Sequence, residues 1–295
     1  MAKESIGFIG TGIIGKPMAH NLLKAGYPLT VHNRTKAKAE QLLLEGASWA
    51  DSPADVASKS DAIITCVPDT PDVRQVLLGK NGVIESARSG LICIDMSTIS
   101  PSATKEMGKV LADKGVILID APISGGEIGA IQGKLSIMIG GPKETVEKVR
   151  PIMEVMGRTV THCGPLGSGQ MTKLVNQVMV IHTIMSIAEG FAFAEKAGLD
   201  LQTTLKVTST GAAGSHSLKA LGPKIIEGDF APAFMVDLQQ KDLRLILEYA
   251  DQLKQPLPGV ALANQLLRVL QAQGRGRDGT HALVDVIRQL AEKRP

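Results

Sequence analysis

The stretch Ile6-Gly7-Phe8-Ile9-Gly10-Thr11-Gly12-Ile13-Ile14-Gly15 decides the fold. It reads as a short apolar strand entering a G-x-G-x-x-G turn. In such a turn the first glycine permits the sharp bend and the second lets the backbone approach a pyrophosphate. The third lets the following helix pack close to its strand. That helix presents unpaired N–H groups and the positive end of its dipole to the phosphates. The motif alone is a weak signal. Here an apolar strand precedes it, a helical pattern follows, and a second strand at Leu29–His32 comes on cue. Gly10, Thr11, Gly12, Ile13, Ile14 and Gly15 are therefore expected to cradle a dinucleotide.

Outward from this turn, the first half of the chain alternates strand and helix signals. Strand-like runs are expected at residues 5–9, 29–32, 62–67, 91–95, 116–121, 135–139 and 159–163, with helical patterns such as 17–24, 36–44 and 103–114 between them. Pro17 falls in a first helical turn and Gly26 just past a helix end, where each residue type belongs. Strands alternating with helices predict an α/β domain, a doubly wound and mostly parallel sheet over residues 1–165. After Pro165 strand signals almost vanish. Helical runs at 169–197, 200–209, 217–226, 237–253, 258–273 and 280–293 predict an all-helical domain over residues 166–295. The first of these helices is apolar on most faces, which suits a spine between domains or subunits and predicts a homodimer or homotetramer.

Composition narrows the function classes. The chain has 295 residues, 44% of them hydrophobic, enough for a large core. A net charge of +3 and 3% aromatic residues argue against a nucleic-acid partner or a membrane surface. Cys66, Cys93 and Cys163 are far apart and form no C-x-x-C, which fits a reducing, cytoplasmic compartment. The N-terminus shows no signal-peptide pattern. Residues 175–194 are apolar over about one bilayer thickness. They also carry Asn176, Gln177, His182 and Glu189, so a helix buried in protein is expected there. The scattered histidines offer no metal constellation.

Several stretches carry polar chemistry. The second strand ends in His32-Asn33-Arg34-Thr35, with Asn33 eighteen positions after Gly15. An acidic residue there would bind the ribose 2′-hydroxyl of NAD. Asn33 has no charge to repel a phosphate, Arg34 offers a forked donor and Thr35 a hydroxyl, so NADP(H) is expected over NAD(H), with NAD(H) possible. The alternative is a helix start with a solvated arginine. Val67 and Pro68 close one strand, and Thr98 follows another at Asp95-Met96-Ser97-Thr98, where a sheet's carboxyl edge faces a cofactor. Ser124, Gly125 and Gly126 follow a buried strand and read either as an anion nest for a carboxylate or as a flexible glycine turn.

The catalytic candidate is Gly167-Ser168-Gly169-Gln170-Met171-Thr172-Lys173-Leu174-Val175-Asn176. Lys173, Asn176 and Gln177 share a helical face. A lysine amid apolar neighbours tends toward a lowered pKa and can protonate a developing alkoxide, with Asn176 orienting it. The alternative is a lysine that snorkels to water. Lys241, in Asp237-Leu238-Gln239-Gln240-Lys241-Asp242, either reaches a cofactor or is solvated.

Taken together, Gly7-Phe-Ile-Gly-Thr-Gly-Ile-Ile-Gly-Lys-Pro-Met-Ala-His-Asn-Leu22, Asp95-Met-Ser-Thr98, Asp120-Ala-Pro-Ile-Ser-Gly-Gly126 and Gly167-Ser-Gly-Gln-Met-Thr-Lys173 resemble the β-hydroxyacid dehydrogenase family over essentially the whole chain. The resemblance implies a Rossmann-type domain plus a helical domain, with Lys173 as general acid/base and Asn176 as the family's asparagine after it. It implies that Ser124, Gly125 and Gly126 hold a substrate carboxylate and that Thr98 and Lys241 line the cofactor and substrate cleft. Residues 124–141 are most similar to the tartronate semialdehyde reductase branch, implying tartronate semialdehyde and glycerate as the pair. Asn33-Arg34-Thr35 is more similar to the glyoxylate/succinic semialdehyde reductase branch. 3-Hydroxyisobutyrate dehydrogenase activity and a non-catalytic NADP-binding interaction protein are the remaining readings.

Overall fold

A computed structural model of the protein describes residues 3–291. Residues 292 and 293 of the last expected helix lie outside the described residues. The chain divides into two compact units, residues 1–173 and 174–295.

The first unit is built on nine strands: β1 (Ile6–Ile9), β2 (Leu29–His32), β3 (Ser48–Trp49), β4 (Ala62–Thr65), β5 (Ile92–Asp95), β6 (Ile117–Asp120), β7 (Ile123–Ser124), β8 (Leu135–Gly140) and β9 (Gly157–Gly164). Their order is β3-β2-β1-β4-β5-β6-β8-β7, with β9 also paired to β8. From β3 to β6 every pairing is parallel. β8 then runs antiparallel to β6 and β7. The order reverses direction between β1 and β4, the switch point where open α/β sheets bind ligands.

Every residue of β1, β4 and β5 is buried, because helices cover both faces. Alternate residues feed two cores. Ile6, Phe8, Ile64, Ile92 and Ile94 pack on one face with Met18, Leu22 and Met153. Ile9, Ile63, Cys93 and Leu118 pack on the other with Val73, Leu77, Met107 and Leu111. Pairing is in register, so His32, Ile9, Thr65, Asp95 and Asp120 stand level at the carboxyl edge.

Several elements depart from the sequence expectations. The pattern at 36–44 is a 3-10 turn, Lys36–Ala39, followed by the helix Glu40–Leu44. The helix expected at 103–114 is Pro101–Ala112, starting where Ser100 caps the Ala103 N–H. Pro53–Ser58 and Thr70–Leu78 are further helices, each with proline in its first turn and a side-chain cap, Ser52 or Asp69. β3 and β7 are two-residue strands too short to show a period.

The second unit is helical, and its described residues hold one isolated β-bridge, Met235 with Gly279. Its helices are Leu201–Thr208, His216–Glu227, Val236–Leu253, Pro258–Ala272 and Leu283–Leu290, plus most of Ser168–Lys196. Ile181, Ile184, Ile187 and Phe191 of that long helix pack with Leu243, Ile246, Val260 and Leu267. By length and composition it could cross a membrane, and 39% of its most apolar window is buried inside the protein. The opposite face leaves Val175, Met179 and Phe193 exposed, Phe193 at 76%.

Candidate active site

The site begins at the glycine turn. Gly10 has φ +103, and a side chain there would strike the Cys66 carbonyl at 2.2 Å. The chain's own packing thus explains this glycine. Gly12 is different: a Cβ there would meet nothing within 4 Å. Open space in front of Gly12 is what an approaching pyrophosphate needs. The following helix, Gly15–Lys24, has no side-chain N-cap and no acidic residue in its first turn. In that turn Lys16 and Met18 donate to the Gly12 and Ile14 carbonyls and Pro17 has no N–H, so what the helix offers an anion at the switch point is the positive end of its dipole. These residues fit a dinucleotide. A cavity of about 440 Å³ opens beside the turn, lined by Thr11, Gly12, Ile13, Lys16, Lys38 and Gln41.

Asn33 ties the end of β2 to this turn. Its Oδ1 accepts the Thr11 N–H at 3.1 Å and its Nδ2 donates to the Thr35 carbonyl at 2.8 Å. Asn33 thus shapes the loop as well as sparing it a charge. The Arg34 side chain is 87% exposed, its Nη1 3.7 Å from Asp72. Val67 donates its N–H to Ser97 Oγ at 3.0 Å, joining the loops after β4 and β5. Pro68 is exposed and Thr98 half-buried.

Two buried carboxylates end β5 and β6. Asp95 accepts from Thr65 Oγ1 at 2.8 Å and from the Ser97 N–H at 3.2 Å. Asp120 accepts the Gly167 N–H on Oδ1 and the Gln170 N–H on Oδ2, each at 2.7 Å. Burial pushes each carboxyl up to about 6, against the pull of these hydrogen bonds, and Asp120 adds to the rise at Asp95. Burial likewise pushes the Cys93 thiol up to about 12.

Asp120 thereby anchors the helix Ser168–Lys196, and Gln170 anchors it a second time. Gln170 Oε1 accepts the Ile99 N–H at 3.1 Å, and its Nε2 donates to the Ser97 carbonyl at 2.8 Å. Lys173 follows one turn later and is 7% exposed, so it does not snorkel. Ser124, Gly125 and Gly126 lie where β7 enters the helix Gly126–Ile131. Both glycines are left-handed, with φ +136 and +63.

Within the second unit lies a polar cluster of its own. Asn176 Nδ2 donates to Gln177 Oε1 at 2.8 Å, Gln177 Nε2 donates to Asp242 Oδ2 at 2.5 Å, and Lys241 Nζ lies 2.8 Å from Asp242 Oδ1. The Lys241 side chain is 14% exposed, so the solvated alternative fails. Among the described residues no group of His, Cys, Asp and Glu could hold a metal ion.

Residues 5–164 match the model for the NAD-binding domain of 6-phosphogluconate dehydrogenase. Residues 167–287 match that for the NAD-binding region of NADP-dependent 3-hydroxyisobutyrate dehydrogenase. The chain belongs to the β-hydroxyacid dehydrogenase family. It is 44% identical to probable 3-hydroxyisobutyrate dehydrogenase-like 1, mitochondrial, of Arabidopsis thaliana, over 98% of this chain and 86% of that one. It is 40% identical to the 2-hydroxy-3-oxopropionate reductase of Escherichia coli, over 97% of this chain and 98% of the relative. A solved 3-hydroxyisobutyrate dehydrogenase of Mycobacterium tuberculosis, with L-serine, superposes with a TM-score of 0.89 at 28% identity, covering 98% of this chain and 100% of that one.

As a member of this family, the protein is an NAD(P)-dependent oxidoreductase that acts on CH–OH groups, with a Rossmann-type domain followed by a helical one. The sequence expectations leave out Asp120, Gln170 and Lys38 of the first unit and Asp242 of the second. Asp120 carried a signal, an acid at the end of an otherwise apolar strand. Gln170 and Asp242 carried none, because Ile99 and Gln177, with which they bond, lie 71 and 65 residues away.

Proposed function

We propose that the protein is an NADP(H)-dependent reductase of a short carboxylated aldehyde, tartronate semialdehyde first, giving glycerate. The observation that carries the chemistry is a lysine buried to 7% exposure on a doubly anchored helical turn. Lysine is almost never buried without a function or a partner. When bound, the nicotinamide supplies the hydride that reduces the aldehyde carbon. The Lys173 ammonium donates a proton to the carbonyl oxygen, and Asn176 orients the exchange. The N–H groups around Ser124, Gly125 and Gly126 hold the carboxylate. Gly10, Thr11, Gly12, Ile13, Ile14 and Gly15 hold the pyrophosphate. Val67, Pro68, Thr98 and Lys241 serve the nicotinamide end.

NADP(H) is favoured over NAD(H) because Arg34 and Thr35 offer donors to a 2′-phosphate and Asn33 brings no charge against it. Similarity to the Escherichia coli reductase supports the tartronate semialdehyde assignment. The 3-hydroxyisobutyrate dehydrogenase-like relative supports methylmalonate semialdehyde as the second reading. Val175, Met179 and Phe193 form an apolar stripe that a second copy of the chain would cover, giving a homodimer or homotetramer in the cytoplasm.

Initial rates with NADPH and NADH against tartronate, methylmalonate and succinic semialdehydes and glyoxylate test the assignment. Fastest turnover of tartronate semialdehyde with NADPH is expected, and another fastest aldehyde would overturn the substrate. Lys173→Ala should keep its NADPH affinity and lose about 10²–10⁴ in kcat. Wild-type turnover in that variant would remove Lys173 from the chemistry.

A further inference from the structure

We infer that Asp120 is a positioning residue for Lys173, its carboxylate fixing where the lysine stands on the edge of the sheet. The inference rests on the acid–base reading of Lys173 and extends it to a residue that touches neither substrate nor cofactor.

Asp120 is fully buried at the last position of β6. Its two oxygens each take a backbone N–H from the approach to the lysine helix, Gly167 and Gln170, at 2.7 Å. The run Gly167-Ser168-Gly169-Gln170 is thus a nest whose anion is the chain's own carboxylate, placed at the positive end of the helix dipole. Room for it is made by omission. A Cβ on Gly169 would lie 2.8 Å from Asp120 Oδ2 and 2.2 Å from the Met138 carbonyl, and one on Gly140 would lie 2.4 Å from Asp120 Oδ1. The side chain of Gln170 then pins the same turn to the loop after β5.

Lys173 is three residues past Gln170 and four past Gly169, so it rises from the anchored turn on the same face. The turn has no freedom that the lysine does not share. A displacement of about 1 Å at a reacting group can cost on the order of 10² in rate. Asparagine cannot replace this carboxylate, because it offers one acceptor and one donor to two converging N–H groups.

The test is a double-mutant cycle on kcat with Asp120→Asn and Lys173→Ala, using tartronate semialdehyde and NADPH. Active protein is counted by NADPH-binding stoichiometry, so an unfolded fraction does not enter the rate. Asp120→Asn is expected to lower kcat by about 10²-fold with its NADPH dissociation constant unchanged. In the Lys173→Ala background the same change is expected to cost less than about 3-fold, because the group it positions is gone. An equal loss in both backgrounds, or wild-type kcat in Asp120→Asn, would overturn the inference. A Lys173→Ala variant with wild-type kcat would instead overturn the acid–base reading and this inference with it. If Asp120→Asn does not fold, Gln170→Ala takes its place in the same cycle. It is expected to lose about 10-fold in kcat only where Lys173 is present, and an additive loss or none would overturn the inference equally.

Discussion

Replacing Gly169 with alanine tests the anchored turn with a single methyl group. That methyl would sit 2.2 Å from the Met138 carbonyl oxygen, where ordinary contact begins at 3.4 Å, so the backbone must part by about 1.2 Å. Neither side can yield cheaply, since one is a strand of the sheet and the other the start of a helix. A shift of that size breaks the Gln170 N–H bond to Asp120 and leaves a buried carboxylate short of a donor. Hydrogen bonds to a charged group are worth about 1.5–3 kcal/mol each. A loss of about 3 kcal/mol corresponds to about 6–12 °C in the melting temperature of a unit this size. The same displacement at Lys173 predicts a fall in kcat of about 10²-fold. Gly190 lies in the same helix, and a Cβ there would meet nothing within 4 Å. Gly190→Ala should therefore stabilise by about 0.5–1 kcal/mol with no change in rate. Both variants are read by differential scanning fluorimetry and steady-state kinetics. A Gly169→Ala protein with wild-type melting temperature and kcat would refute the anchoring argument.

Three further outcomes follow from other parts of the molecule. Because burial raises the Asp95 and Asp120 carboxyls to about 6, the fold binds protons that the unfolded chain does not between about pH 4 and 6. Their contribution to stability therefore falls as pH rises through that window, by on the order of 1–3 kcal/mol. Guanidinium midpoints at pH 5 and 7 should show a smaller pH difference in Asp120→Asn than in the wild type, and an unchanged difference would be contrary evidence. Arg34→Ala should lower kcat/KM for NADPH about 10–100-fold and leave NADH nearly unaffected, given the strength of a guanidinium–phosphate pair. Equal losses with both cofactors would disconnect Arg34 from the 2′-phosphate. Met179→Glu together with Phe193→Glu places charge on the exposed stripe of the long helix and should reduce the assembled mass in light scattering. A wild-type protein already monomeric at micromolar concentration would remove the stripe as an interface.

The sheet was legible because a parallel sheet covered on both faces needs strands apolar on both faces up to their carboxyl ends, as at Ile6–Ile9, Ala62–Thr65 and Ile92–Asp95. Two-residue pairings such as Ser48–Trp49 have no such signature, since their existence depends on the neighbour that receives them. The helices Pro53–Ser58 and Thr70–Leu78 did carry a readable signal, a capping Ser or Asp followed within two residues by proline. At the site, local sequence sufficed for what acts through the backbone, such as the open face of Gly12. It did not suffice for Lys241, whose partner Asp242 is adjacent in sequence but whose burial no local pattern reveals. The Asp120 contacts lay beyond any local pattern.

The same contacts set an order of assembly. Asp120 meets Gly167 and Gln170 across 47 and 50 residues of chain, through which β7, β8 and β9 must first be laid down. The glycine turn joins β1, β2 and β4 within the first 65 residues, and the helix after it is completed by Ala130 and Met153, still ahead of Gly167 in the chain. Distant closures are entropically costly and arrive late in folding. During synthesis or refolding the chain would therefore be able to grip a dinucleotide before its lysine is seated. Cofactor held in place at that stage would favour the closing of the lysine turn only by as much as the closed turn binds it more tightly than the open one.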